Sequence, residues 1–264
     1  MISLVSLLVA AALVSQHSGF EANAQIDSPK ITLDNNLQPN VIAPKRQRRL
    51  RKFVHIWSAP PGEVRRAAGE RVELNCVAMG NPPPAIVWER NGERVQDQFE
   101  DEINEILPPL SFGLGQLSSK MIVTSLTPGE DQYTCIATAG AKKEAATSVV
   151  YTLPAEDDED DLLALQKMFL LTPTITYHYN ELFQLIGTTA VLPCRAQSAT
   201  KPVLFWQDRN NRLIYGNPRM KVLPSGDLMI NDLRFEEDMG NFTCVAKNMF
   251  GKDAATTFVY PTKA

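Results

Sequence analysis

The stretch "RVELNCVAMGNPPPAIVWERNG", residues 71–92, decides the fold. Val72, Leu74 and Cys76 alternate with polar neighbours, the period-two pattern of a half-buried strand. Trp88 stands 12 residues after Cys76, inside the next apolar run, and Asn91–Gly92 then marks a turn. "QYTC" brings a second cysteine at Cys135. The arrangement then recurs. "TAVLPC" ends at Cys194 with Ala190 and Leu192 alternating before it. Trp206 follows 12 residues later in "VLFWQD", Asn210–Asn211 supplies the turn, and "GNFTC" ends at Cys244. Gly69 and Gly187 each stand seven residues ahead of the first cysteine of their copy. Self-similarity on this scale means two copies of one domain.

Four cysteines allow three pairings, and counting does not separate them. The spacing does, because Cys76–Cys135 and Cys194–Cys244 each join two strands beside a tryptophan, Trp88 or Trp206. Tyr133 and Phe242, each two residues before the second cysteine, complete the expected cores. Each bridge closes a loop of roughly 50–60 residues and contributes about 4 kcal/mol on the loop-entropy model. The expected architecture is all-β: two sandwiches in tandem, each folding around its own bridge. On that reading Cys194→Ala unfolds the second copy and spares the first.

Both copies resemble immunoglobulin domains of the intermediate set, through "GNPPPAIVWERNG", "SGDLMINDL" and the "NMFG" turn. The resemblance implies a tyrosine corner opening the strand of the second cysteine. Phe242 occupies the tyrosine position in the second copy, and Gly129 and Asp131 stand where Asp and Gly are usual in the first. The two domain endings, "QYTCIATAGAKKEAATSVVY" and "EDMGNFTCVAKNMFGKDAATTFVYP", resemble those of a family of secreted, ecdysone-inducible insect proteins with two such domains. That resemblance implies an insulin-like peptide hormone as partner and a dampening of growth-factor signalling. The competing class is an adhesion or guidance factor that binds cell-surface proteins.

The apolar run Ile2–Val14 is too short to span a bilayer and opens the chain, so residues 1–24 are expected to be a signal peptide cleaved before Gln25. No later stretch is expected to anchor the protein in a membrane, and the expected location is extracellular. The further boundaries expected are a basic lead-in at 25–56, domain 1 at 57–154, a linker at 155–172 and domain 2 at 173–262. A net charge of −4 argues against nucleic acid as partner. The three histidines lie far apart, at His17, His55 and His178, and all four cysteines are taken by bridges. No metal, cofactor or catalytic constellation follows from these residues, and an enzyme is not expected.

Three features stand outside the repeat. "KRQRRLRK", residues 45–52, reads as a disordered lead-in, as a convertase site at Arg46, Arg48 and Arg49 with cleavage after Arg49, or as a heparan sulfate or acidic-partner site. "NFT" makes Asn241 a glycosylation candidate on the outer side of its strand. The linker "EDDEDDLLALQKMFLL", residues 156–171, predicts a short amphipathic helix with acids at its N-terminus. Its stripe of Leu162, Leu165, Met168 and Phe169 either packs between the domains or is left for a ligand.

Overall fold

The computed structural model describes residues 51–95, 113–155 and 159–263. The expected signal peptide and the candidate cleavage residues Arg46, Arg48 and Arg49 lie outside the described residues. The described residues belong to one compact unit.

Domain 1 runs through β1 (Phe53–Ser58), β2 (Glu63–Ala67), β3 (Val72–Asn81), β4 (Ala85–Arg90), β5 (Glu93–Arg94), β6 (Leu114–Val123), β7 (Gly129–Ala139) and β8 (Lys142–Leu153). One sheet has the order β2-β8-β7-β4-β5, and it faces β1-β3-β6. The alternation that marked the sequence is the alternation of burial. Leu74, Cys76 and Ala78 are buried along β3, while Glu73 and Asn75 face water. Asn91 and Gly92 both take positive φ, 53° and 84°, which tightens the β4–β5 hairpin as the dipeptide predicts. The first strand lies partly inside 25–56, the range expected as lead-in. Ile56 opposes Ala78 and is buried, so the sandwich needs those residues, and the boundary moves to Phe53.

The helix α1 (Glu159–Phe169) links the domains. Domain 2 then contains β9 (Thr174–Leu185), β10 (Ala190–Leu192), β11 (Cys194–Gln197), β12 (Val203–Gln207), β13 (Met220–Val222), β14 (Leu228–Ile230), α2 (Phe235–Asp238), β15 (Gly240–Lys247) and β16 (Lys252–Thr262). The strand read as "TAVLPC" is split. Pro193 has no N–H to give a ladder, so β10 pairs with β14 and β11 pairs with β9. The Cys194 N–H is met by Asp227 Oδ1 at 3.0 Å.

Both bridges, Cys76–Cys135 and Cys194–Cys244, are formed, and all four cysteines are fully buried. Each tryptophan lies directly across a strand pair from the second cysteine of its domain. The indole N–H groups are satisfied internally, Trp88 by Ser119 Oγ at 3.0 Å and Trp206 by the Gly226 carbonyl at 2.8 Å. Gly226 holds φ at 90°, and a Cβ there would sit 2.2 Å from the Leu204 side chain, so this turn requires glycine. The corner before Phe242 is held by charge rather than by a tyrosine hydroxyl. Asp238, fully buried, accepts from Arg219 at 2.8 Å and from the Arg234 N–H at 2.7 Å. In domain 1 Asp131 reaches sideways instead, to Arg90 and Asn91. Hydrogen bonds from those two partners, Arg90 first, hold its carboxyl below the usual range.

The domains are not separate beads. The β1-β3-β6 sheet continues through β9 into β16, β15 and β12 of domain 2, and with β11 it counts eight strands. In domain 2 the neighbour of β14 is β13, whereas in domain 1 the corresponding place beside β6 is taken by β9, a strand of the other copy. Leu182, fully buried, opposes Gly115 on one side and Val259 on the other. The buried faces of both sandwiches therefore lie on the same side of the shared sheet at this point. Tyr179 and Tyr177 lock the seam by reaching into domain 1, Tyr179 Oη donating to the Pro84 carbonyl at 3.1 Å and Tyr177 Oη accepting from the Ile86 N–H at 3.3 Å. The two copies expected from the sequence are both present, and they share one sheet rather than standing apart.

Candidate functional site

Strand register builds a row of side chains across the outer face of the shared sheet. Asn241 opposes Phe258, Phe258 opposes Glu181, Glu181 opposes Gln116, Gln116 opposes Met79, and Met79 opposes His55. Six strands from both domains contribute one residue each. At about 4.8 Å between strands the row is about 24 Å wide. His55, Glu181, Asn241 and Phe258 are exposed, while Met79 and Gln116 are half-buried. The parallel register of β9 and β16 also brings Phe183 beside Tyr260, ring centres 5.6 Å apart. Phe235 of α2 meets Tyr260 edge-on at 5.7 Å. Aromatic and thioether groups among amides and a carboxylate make a surface suited to a protein partner.

A bulge makes this surface coherent. Asn180 is the extra residue where the β6–β9 register shifts between Gln116 and Leu117, and its side-chain amide donates to Gln116 Oε1 at 3.1 Å. Were the strand to alternate regularly through Asn180, Glu181 would turn inward and Leu182 outward. Sequence reading missed Glu181, Phe183, Phe258, Tyr260, Met79 and Gln116. The alternation "AATTFVYP" placed Phe258 and Tyr260 on one face of a strand, but nothing in one strand says which other strands adjoin it.

The linker forms the predicted helix, and its C-terminal end is tied to both domains. Gln166 donates to the Thr124 carbonyl at 2.7 Å, and Arg71 donates to the Phe169 carbonyl at 3.0 Å. On the other side Ala199 N–H meets the Leu170 carbonyl at 2.7 Å, and Asn248 Nδ2 meets that of Leu171 at 2.6 Å. Of the proposed stripe, Phe169 is half-buried and Met168 is 56% exposed. The side chains of Leu162 and Leu165 lie outside the described residues. Met249 and Phe250, on the turn carrying Asn248, are also exposed. Asn241 is exposed as its strand position predicted and stands at one end of the row.

Of the three histidines noted in the sequence, His17 lies outside the described residues. His55 Nδ1 lies 3.3 Å from Glu144. His178 sits in the seam opposite Ser118 and Cys194, with a buried Nδ1 that has no hydrogen-bond partner. Burial first, then the charge of Lys120, pushes its pKa down. Among the described residues no group of three His, Cys, Asp or Glu side chains could hold a metal ion, and no helix is long and apolar enough to cross a membrane.

Two disulfide-cored sandwiches presenting an open sheet face define a protein of the immunoglobulin class. The chain belongs to the immunoglobulin-domain family, whose model matches residues 55–138 and 172–248. It is similar, at 29% identity over 234 residues, to the neural/ectodermal development factor IMP-L2 of Drosophila melanogaster, with 86% of this chain and 85% of that protein covered. It is 28% identical over 267 residues to the Zwei Ig domain protein zig-4 of Caenorhabditis elegans, covering 99% of this chain and 96% of that protein. The crystal structure of IMP-L2 matches with a TM-score of 0.65 at 27% identity, over 81% of this chain and 96% of that one.

Proposed function

We propose that the protein is secreted and binds an insulin-like peptide hormone across the outer face of the shared sheet, withholding it from receptors. One observation carries this reading: the registered row from His55 to Asn241, which runs unbroken from one domain into the other. A specific interface takes about 800 Å² from each partner, a patch roughly 28 Å across. The row alone is about 24 Å wide, and the seven residue steps along β9 from Glu181 back to Thr174 add about 23 Å along the strands toward α1. A folded hormone can therefore be served by a face whose two halves cannot shift against each other, which lowers the ordering cost of binding. We take Met168 and Phe169, at the end of the helix that precedes β9, as the rim of that face. The resemblance noted in the sequence supports the hormone class, and the registered row supports this face as its place.

The test is calorimetric titration of the purified chain with an insulin-like peptide. Phe258→Ser with Met79→Ser is expected to weaken binding at least tenfold with the melting temperature within a few degrees of the parent. Absence of binding at micromolar hormone defeats the reading. It would favour the second one, adhesion through the same face, which has support in a 28% identity to the cell adhesion molecule Dscam1 of Drosophila melanogaster over 70% of this chain.

A further inference from the structure

The first strand and the last hairpin of domain 1 bring together charges that are far apart in sequence. Arg51 and Lys52 lead into β1, and Lys142 and Lys143 open β8. With Phe53 and Val54 they line an open cavity of about 570 Å³. All four cationic side chains are exposed, and none has an ion-pair partner among the described residues. The neighbouring carboxylate, Glu144, is already engaged by His55 Nδ1 at 3.3 Å and by the Ile56 N–H at 3.1 Å. The backbone that carries Arg51 is held in place, since Asn81 Nδ2 donates to its carbonyl at 3.3 Å. Four uncompensated positive charges around one hollow are a marked local excess in a chain whose net charge is −4.

We propose that this cavity docks a sulfated polysaccharide. Charges on flexible stems at the rim of an open trough read a linear polyanion by charge density rather than gripping one compact anion. A compact phosphate site needs converging backbone N–H donors or a buried polar group, and neither lines the hollow. The lining is concave, with Phe53 and Val54 exposed or half-buried as its apolar floor, and this matches a sugar chain with apolar ring faces and anionic edges. Lys142 and Lys143 distinguish the inference from a charge run acting alone, because the fold rather than the sequence brings them to Arg51 and Lys52. It does not rest on hormone binding, since none of the four cations belongs to the row, although Phe53 stands two residues from His55 on β1.

The experiment is titration of the full chain with a size-fractionated heparin decasaccharide, with elution from immobilised heparin as a second measure. Lys142→Gln with Lys143→Gln is expected to lower affinity about tenfold. Lys221→Gln with Lys252→Gln, an exposed pair elsewhere, is expected to leave it within twofold. A chain starting at Leu50 is expected to keep most of its affinity. With four charges neutralised and a slope near 0.7 per charge, a threefold rise in salt lowers affinity about twentyfold. Equal losses in the two double variants, loss of binding in the shortened chain, or tighter binding to phosphatidylserine vesicles than to the decasaccharide would each overturn the proposal.

Discussion

Leu182→Ala probes the seam most directly. Leu182 is fully buried between Gly115 of domain 1 and Val259 of domain 2. Truncating a fully buried leucine costs about 3–5 kcal/mol, the transfer of the lost methyl groups plus the cavity left behind. For a unit of this size each kcal/mol moves the midpoint by about 2–4 °C, so a 3 kcal/mol loss lowers it by about 6–12 °C. If the domains share one cooperative unit, the loss is shared too. Calorimetry is then expected to show a single transition before and after the change. Hydrogen exchange is expected to accelerate alike in β15, two strands from the site, and in β7, which lies in the sheet of domain 1 that does not contain β9. Two resolved transitions, with β7 protection untouched while β15 loosens, would refute the reasoning. The same logic revises the expectation for Cys194→Ala, which should now weaken both domains rather than the second alone.

Asp238→Ala removes the buried acceptor of the Arg219 side chain and the Arg234 N–H and is expected to cost about 3 kcal/mol, read as a shift in denaturant midpoint. The His178 imidazole has a folded pKa below its ordinary 6.5, so the unfolded chain binds the extra proton first. Its contribution is complete above about pH 6.5 and is lost as pH falls from there to the folded value; the melting temperature should drop over that window, and His178→Gln should flatten the drop. A glycan on Asn241 would stand at the end of the outer row. Chains separated on a lectin column are therefore expected to bind hormone more weakly when glycosylated there, and equal affinity of the two forms places the ligand elsewhere. Met168→Ser is expected to weaken hormone binding severalfold at constant melting temperature, because the side chain is exposed while the helix end is held through backbone carbonyls. Unchanged affinity would remove α1 from the interface.

Legibility in the sequence followed the range of the interactions. Val72, Leu74 and Cys76 announce a strand because alternation is local, and Asn91–Gly92 announces its hairpin for the same reason. The Cys–Trp–Cys spacing reaches further only because it repeats, and the acids ahead of Leu162 marked the helix. Phe53 to Ile56 was missed because a short strand beside "KRQRRLRK" looks like the tail of a charge run. The outer face was not legible at all. It depends on β6 and β9 choosing each other at a particular register, with a bulge at Asn180, across some 60 residues of chain. Lys142 and Arg51 meet for the same reason, since pairing of β1 with β3 and of β7 with β8 places them side by side.

The position of β9 beside β6 also bears on how the protein is made. β6 is a ten-residue strand, and its pairing on one side is supplied only by a strand that follows it in the chain. At roughly 5–20 residues per second, the interval from Val123 to Leu185 lasts about 3–12 s during synthesis. Throughout that interval the nascent first domain carries an unfilled template for any passing strand. Completion of the second copy is what retires it. A chain ending at Ala155 is accordingly expected to self-associate in sedimentation experiments under conditions where the full chain does not, so that each newborn molecule is guarded from its neighbours by its own later half.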